Sequence, residues 1–309
     1  MVRIVFAGTP SVAVPSLAAL AKAGHEIAAV VTRPDAPTGR GKKLTASPVA
    51  EMAEEMGVDV IKIDRSSPEF VEKLRALKPD VCPVVAFGAL LPQEVLDIPK
   101  YGWINLHFSK LPAWRGAAPV QRALMAGETE IGATTFRLVK QLDAGPVYRQ
   151  ISHHVGPLDV AGDVLKALSI SGASLMVRTI DEIAAGKEPK PQPPGETSYA
   201  KKISSSEVRI NWKRPAAEIC NIVRGASPAP GAWCELNGAR FKILLASPDE
   251  APVQLEPGQM FADRKHLWVG AKDGELELLK VQAAGKKPMS GADWARGIPK
   301  DELENVRLV

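Results

Sequence analysis

Cysteine is scarce in this 309-residue chain. Cys82, Cys220 and Cys234 are an odd, widely spaced set. They lack the C-x-x-C spacing of a zinc site and cannot all pair, which excludes a disulfide framework and fits a reducing cytoplasm. Cys82 sits in the apolar run Val81 to Ala86 and reads as buried filler rather than a nucleophile. No run of about 18 apolar residues occurs, and Met1 to Gly8 has no secretory pattern, so neither membrane insertion nor export is expected.

Nucleotide and metal signatures are missing too. Gly8 follows an apolar strand pattern, but Pro10 and Ala13 stand where the next two glycines of a dinucleotide fingerprint belong, and no acid ends the second strand at Arg33. There is no Gly-x-x-x-x-Gly-Lys-Ser/Thr phosphate loop. The five histidines, His25, His107, His153, His154 and His266, form no H-E-x-x-H or other tight ligand pattern, so no catalytic metal is expected.

What is present is ordinary for a soluble protein, 45% hydrophobic and 24% charged, with length enough for two domains. Net charge is only +4, but Arg33 to Lys43 sets Arg33, Arg40, Lys42 and Lys43 against Asp35 alone. Lys187 to Arg214 carries seven basic residues against Glu188, Glu196 and Glu207. Such a distribution suits a phosphate-tracking surface, although solvated loops would carry the same charge.

Alternating strand and helix patterns predict a Rossmann-like, mostly parallel α/β sheet. Strands are expected at Arg3–Ala7, Glu26–Thr32, Val58–Ile63, Asp80–Phe87 and Trp103–Phe108, and later at Gly132–Val139 and Val147–His153. Helices are expected at Pro10–Ala23, from Pro48 to about Met56, at Pro68–Leu77, Pro92–Leu96 and Val160–Ala185. Asp35–Ser47 reads as one long polar loop. Pro189–Pro194 reads as an extended linker. Beyond it, a helix near Pro215–Val223 precedes short strand patterns at Ala232–Leu236, Phe241–Leu245, Leu267–Val269 and Leu276–Val281. Turns at Asn237-Gly238 and Asp273-Gly274 suggest a small OB-like barrel. The expected division is 1–188 catalytic, 189–206 linker and 207–309 carboxyl-terminal.

Ile104–Pro119 is the place to look for chemistry. Strand alternation sends Asn105 and His107 to one face and Ile104 and Leu106 to the other. A histidine at a strand end is ordinarily structural, but an amide beside an imidazole suits a developing oxyanion. Asp143, before Ala-Gly-Pro, reads on local grounds first as a turn residue and second as a partner that orients or deprotonates an imidazole. No Ser or Cys sits in a recognisable nucleophile setting, which favours direct transfer over a covalent intermediate.

These residues, with FAGTP, TRPDAPTGRGKKL, VVAFGALLP, INLHFSKLPAWRGAAPVQ, LDAGPV and QAAGKKPMS, resemble the methionyl-tRNA formyltransferase family within the folate-dependent formyltransferases, along essentially the whole chain. The resemblance implies a one-carbon transferase that moves the formyl group of 10-formyltetrahydrofolate to the α-amine of initiator methionyl-tRNA. It implies Asn105, His107 and Asp143 as catalytic residues, and Ser109, Lys110, Leu111 and Pro112 at the folate. Arg40, Lys42 and Lys43 would meet the tRNA acceptor end, with the linker and OB-like domain on its backbone. A cytoplasmic monomer with no metal and no membrane partner is implied. Phe108 and Lys110 stand where some relatives carry Gly and an aliphatic residue, and Phe87 where Tyr is frequent. The alternatives are a formyltransferase for an amino-sugar nucleotide or glycinamide ribonucleotide, and a noncatalytic tRNA-binding protein.

Overall fold

A computed structural model describes residues 1–38, 41, 43–299, 303 and 305–309. Short apolar strands alternate with helices through the first half, as β1 (Arg3–Gly8), α1 (Val14–Lys22), β2 (Glu26–Thr32), β3 (Ala36–Thr38), β4 (Lys43–Thr45), α2 (Pro48–Glu55) and β5 (Val60–Lys62). Then come α3 (Pro68–Leu77), β6 (Cys82–Val85), α4 (Gln93–Leu96), β7 (Trp103–His107), β8 (Arg115–Gly116), α5 (Pro119–Met125), β9 (Glu130–Arg137), β10 (Val147–His154) and α6 (Ala161–Ala184). Local signals place the boundaries: Ser47 and Ser67 accept hydrogen bonds from Ala50 N and Phe70 N, each with Pro at the next position.

Seven strands form one sheet in the order β10-β9-β7-β6-β1-β2-β5. β5, β2, β1, β6 and β7 run parallel, and β9 pairs antiparallel with β7. The strand order reverses between β1 and β6, so the carboxyl ends of the central strands open a crevice there. Alternation divides the strands between two cores. Val5, Ala7, Val31 and Trp103 pack with Phe70, Leu74 and Val95 of α3 and α4. Leu106 faces α6, where a Cβ at Gly172 would come within 2.8 Å of its side chain. Burying each such aliphatic side chain is worth about 1.5–3 kcal/mol. Leu106 and its neighbour Ile104 thereby anchor the strand on which Asn105 and His107 point the other way.

The remaining elements are β11 (Tyr199–Ala200), α7 (Ala216–Ala226), β12 (Ala232–Leu236), β13 (Ala239–Asp249), β14 (Met260–Ala262), β15 (Leu267–Gly270), β16 (Glu275–Ala283), β17 (Met289–Ser290) and α8 (Gly291–Arg296). β11 pairs with β8, and the strands from β12 on build the antiparallel β domain expected, in the order β12-β13-β16-β15-β14 with β17 on β16. The β12–β13 turn has positive φ at both Asn237 and Gly238, the requirement of a two-residue hairpin. Asp273, in the other expected turn, accepts from Ala216 N at 2.8 Å and so caps the start of α7.

Two expectations need revision. Asp35–Ser47 is not one irregular loop: β3 and β4 form a hairpin, held by the Thr38 and Thr45 hydroxyls at 2.6 Å. Its strands lack apolar alternation, which hid them. α5 had no assignment, although Pro119 at its first position is a helix-start signal. By their contacts the described residues also form two compact units. One compact unit is Met1–Gly116, Ile131–His153 and Leu165–Tyr199; the other is Ala117–Glu130, His154–Val164 and Ala200–Val309. The second unit gains α5 because Gly225 of α7 leaves no room for a Cβ against Met125 and the Gln121 carbonyl.

Ser47 both caps α2 and meets the Thr32 hydroxyl at 2.6 Å. Ser47→Ala is expected to lower unfolding free energy by about 1–2 kcal/mol, read from the urea midpoint. An unchanged midpoint would mean that water replaces both bonds.

Candidate active site

β7 ends at His107 with its ring buried, 5% exposed. Neighbouring strands hold it: His107 pairs with Thr134 of β9, and Asn105 with Val84 of β6 and Phe136 of β9. The Phe136 ring stands edge-on to the imidazole, 6.4 Å between centroids. Asn105 is the half-buried member of the pair.

The His107 Nε2 lies 2.8 Å from the Trp114 carbonyl oxygen. A carbonyl can only accept, so Nε2 carries the hydrogen and donates it. In the neutral ring, Nδ1 then presents a lone pair. Asp143 Oδ2 lies 3.9 Å from that Nδ1. This spacing is too long for a direct hydrogen bond and right for an ion pair once Nδ1 is protonated. The same Asp143 oxygen accepts from Gly116 N at 2.7 Å, which fixes the carboxylate.

Burial pushes the His107 pKa below its ordinary 6.5, and the Asp143 carboxylate and Trp114 carbonyl pull it back up. The resting ring is therefore neutral near pH 7 and sits beside an anion that would stabilise its protonated form. That is the arrangement of a base able to take a proton transiently.

Backbone strain is concentrated here. Among the described residues outside glycine, positive φ occurs at Lys78, Ala86, Trp114, Asp143 and Asn237. Trp114 and Asp143 are the two residues that flank His107, and Ala86 ends the β6 side of the crevice. Positions of this kind are held only where surrounding structure over-determines them. Asp143 is helped by Gly145, where a Cβ would run into the Arg137 carbonyl. Asp143 is thus both a turn residue and a neighbour of the imidazole, and the two sequence readings of it coexist.

The loop after β7 is self-supporting. Ser109 is buried and donates to the Ala113 carbonyl at 2.6 Å, while its own carbonyl accepts from Thr134 Oγ1 at 2.6 Å. Leu111 is buried, its N–H on Thr134 Oγ1 and its carbonyl on Gln150 Nε2 at 2.7 Å. Lys110 is exposed, and its stem lies over Gly132. Pro112 is half-buried against Gly195. Of the basic hairpin, Lys43 is exposed at the start of β4; Arg40 and Lys42 lie outside the described residues.

Sequence reasoning missed several contributors. Trp114 and Gly116 act through backbone groups, for which side-chain identity carries no signal. Thr134 and Gln150 brace the loop from strands read only as core. Gln192 lies in the tract read as a linker, yet its amide reaches the Asp143 and Gly145 carbonyls at 2.7 and 3.0 Å. Pro189–Pro194 is therefore anchored to the site and is not a free tether; the bridge between Val147 and Lys190 makes the attachment.

All three cysteines are free and buried, and burial raises the Cys82 thiol well above its ordinary range, which fits the filler role. Among the described residues no group of His, Cys, Asp or Glu could hold a metal ion, and no helix is long and apolar enough to cross a membrane.

The native ring holds its proton less tightly than the unfolded chain does. In the window just below pH 6.5 the unfolded state binds more protons, so stability falls as pH drops through it. The His107 imidazole should titrate with a midpoint below 6.5 by ¹⁵N NMR, and lower still in Asp143→Asn, which loses the raising charge. A midpoint above 6.5 would contradict the neutral assignment.

A protein-family model described as formyl transferase matches residues 2–180, and one described as formyl transferase, C-terminal domain, matches 202–299. A methionyl-tRNA formyltransferase of Streptomyces coelicolor is 52% identical over 307 residues, covering 98% of this chain and 99% of that protein. Among solved structures, the sugar 3N-formyltransferase WlaRD shares the fold at a TM-score of 0.66 and 19% identity, over 93% of this chain and 99% of that one. HypX from Aquifex aeolicus, in complex with tetrahydrofolic acid, shares it at a TM-score of 0.66 and 18% identity. The chain covers 95% of its own length in that alignment but spans only 46% of HypX. An imidazole–carboxylate pair at the carboxyl edge of this sheet, together with matches over both halves, puts the chain in the formyltransferase family, among the methionyl-tRNA formyltransferases.

Proposed function

We propose that this enzyme transfers the formyl group of 10-formyltetrahydrofolate to the α-amine of methionine on initiator tRNA, giving N-formylmethionyl-tRNA for translation initiation. The observation that carries this reading is the His107–Asp143 pair beside Asn105, at the mouth of a crevice in a chain about half identical to methionyl-tRNA formyltransferases. A half-buried amide next to a neutral buried imidazole fits a carbonyl that gains negative charge and an amine that must lose a proton.

Roles follow from which atoms are occupied. Asn105 donates to the formyl oxygen as it becomes negative on attack by the amine; one such donor is worth about two to three powers of ten in rate. His107 has its Nε2–H committed to Trp114, so Nδ1 takes the amine proton. Asp143 holds the resulting imidazolium, and Nδ1 returns the proton to the departing folate nitrogen as the old carbon–nitrogen bond breaks. The methionyl amine needs little help to arrive neutral, since free α-amines have pKa values of about 7.7–8.0.

Ser109 and Leu111 shape the folate side from within the loop, and Lys110 and Pro112 offer its accessible surface. Arg40, Lys42 and Lys43 engage the acceptor end of the tRNA. Residues 1–188 carry catalysis, and 189–206 with 207–309 follow the tRNA backbone. Exposed Lys201 and Lys202 suit that task, as do Arg209 and Arg240, whose guanidinium groups lie 5.3 and 4.0 Å from the Trp233 ring. Translation initiation places the enzyme in the cytoplasm, where it acts as a monomer.

Incubation with 10-formyltetrahydrofolate and charged initiator or elongator methionine tRNA should yield formylmethionine by mass spectrometry, preferentially from the initiator. Turnover should fall steeply with salt as phosphate contacts are screened. Product from an amino-sugar nucleotide instead, with little salt dependence, would refute the substrate assignment. Asn105→Ala and His107→Ala should each cost about 10²–10³-fold in kcat while circular dichroism stays unchanged; near-normal turnover would remove their roles.

A further inference from the structure

The segment 190–198 is attached at three places. Its first attachment is the mutual backbone pair between Lys190 and Val147, with N–O distances of 2.6 and 2.8 Å. From there Gln192 Nε2 donates to the carbonyls of Asp143 and Gly145, and Gln192 Oε1 accepts from Arg115 at 2.6 Å. Farther along, Ser198 Oγ accepts from Trp114 N at 2.9 Å and the Ser198 carbonyl accepts from Arg115 N at 2.9 Å.

The two peptide turns gripped in this way contain Asp143 and Trp114, the strained residues whose oxygens face Nδ1 and Nε2 of His107. The amide of Gln192 can be oriented only one way: both carbonyls accept, so the nitrogen must face them, and Arg115 donates, so the oxygen must face it. Only a side chain with a donor and an acceptor on one short planar group meets both demands. Glutamate has the length but could not donate to the carbonyls when ionised.

We infer that the 190–198 segment is a strap that sets the position of Asp143 and Trp114 about His107, with Gln192 as its principal positioning residue. Gln192 touches no reacting atom; it acts through Asp143. The strap also lies within the basic stretch Lys187 to Arg214, so the chain that positions the acid–base pair is continuous with the chain proposed to follow tRNA. The inference rests on the formyl-transfer reading for its kinetic arm only.

The test uses the full-length enzyme. Gln192→Met keeps length and bulk but removes both donor and acceptor. It should lower kcat about 10- to 100-fold, as expected for sub-ångström misplacement of a reacting group, with KM for tRNA and for the folate donor changed less than about threefold. It should also lower the ¹⁵N NMR titration midpoint of His107, because Asp143 is no longer held near Nδ1. In an Asp143→Asn background the same substitution should cost less than about twofold, since the group through which it acts is already gone.

Additive losses in the double variant, or an unmoved His107 midpoint with only a lower Tm, would reduce Gln192 to a structural bond and overturn the inference. If Gln192→Met does not fold, Ser198→Ala, which frees only the Trp114 N–H, tests the strap by the same titration, and an unmoved midpoint there overturns it equally. A wild-type enzyme that fails to formylate methionyl-tRNA while the midpoint still moves in Gln192→Met would refute the substrate reading and leave the strap standing.

Discussion

The structure around this site depends on one hydrogen bond, from His107 Nε2 to the Trp114 carbonyl. It occupies one ring nitrogen and leaves the other facing Asp143. Burial keeps the ring neutral, and the nearby carboxylate lowers the cost of charging it. The two effects oppose each other: burial favours the neutral imidazole, and the anion favours the protonated one. The sheet supplies the burial, and two strained turns supply the carbonyl and the carboxylate.

That division explains why strain and bracing occur together. Trp114 and Asp143 both adopt left-handed backbone conformations, which cost of order 1–3 kcal/mol each unless neighbours enforce them. The neighbours are specific: Ser198 on the Trp114 turn, Gln192 and Gly116 on the Asp143 turn, and Gly145 where no side chain fits. Thr134 and Gln150 brace the loop after β7, ahead of the Trp114 turn, through the backbone of Ser109 and Leu111. The parallel sheet is a rigid base, and the loops at its carboxyl edge are fixed by polar contacts.

Much of the fold is legible in the sequence because it follows from periodicity. The strands β2 and β12 and the helix α3 occupy the expected residues, and the Asn237-Gly238 turn joins β12 to β13. The pairing of Asn105 with His107 on one face was readable for the same reason. The approach of Asp143 to His107 was not, since it joins residues far apart in sequence across an antiparallel strand pair. The roles of Trp114 and Gly116 had no signal, being backbone roles. Gln192 was obscured by its setting: a proline-rich tract reads as extended, which it is, but extension does not reveal that one amide faces two carbonyls. The β3–β4 hairpin was missed because its strands are too short and too polar to alternate.

In the proposed reaction a single carbonyl carbon sits between the Asn105 amide and the His107 Nδ1. The most direct measurement is a crystal structure with a stable formyl-folate analogue and a methionyl-adenosine mimic bound together. The formyl oxygen is expected about 3 Å from Asn105 Nδ2 and the amine within direct or one-water reach of His107 Nδ1. A formyl group on the far side of the 109–112 loop, with Asn105 and His107 touching neither ligand, would contradict it.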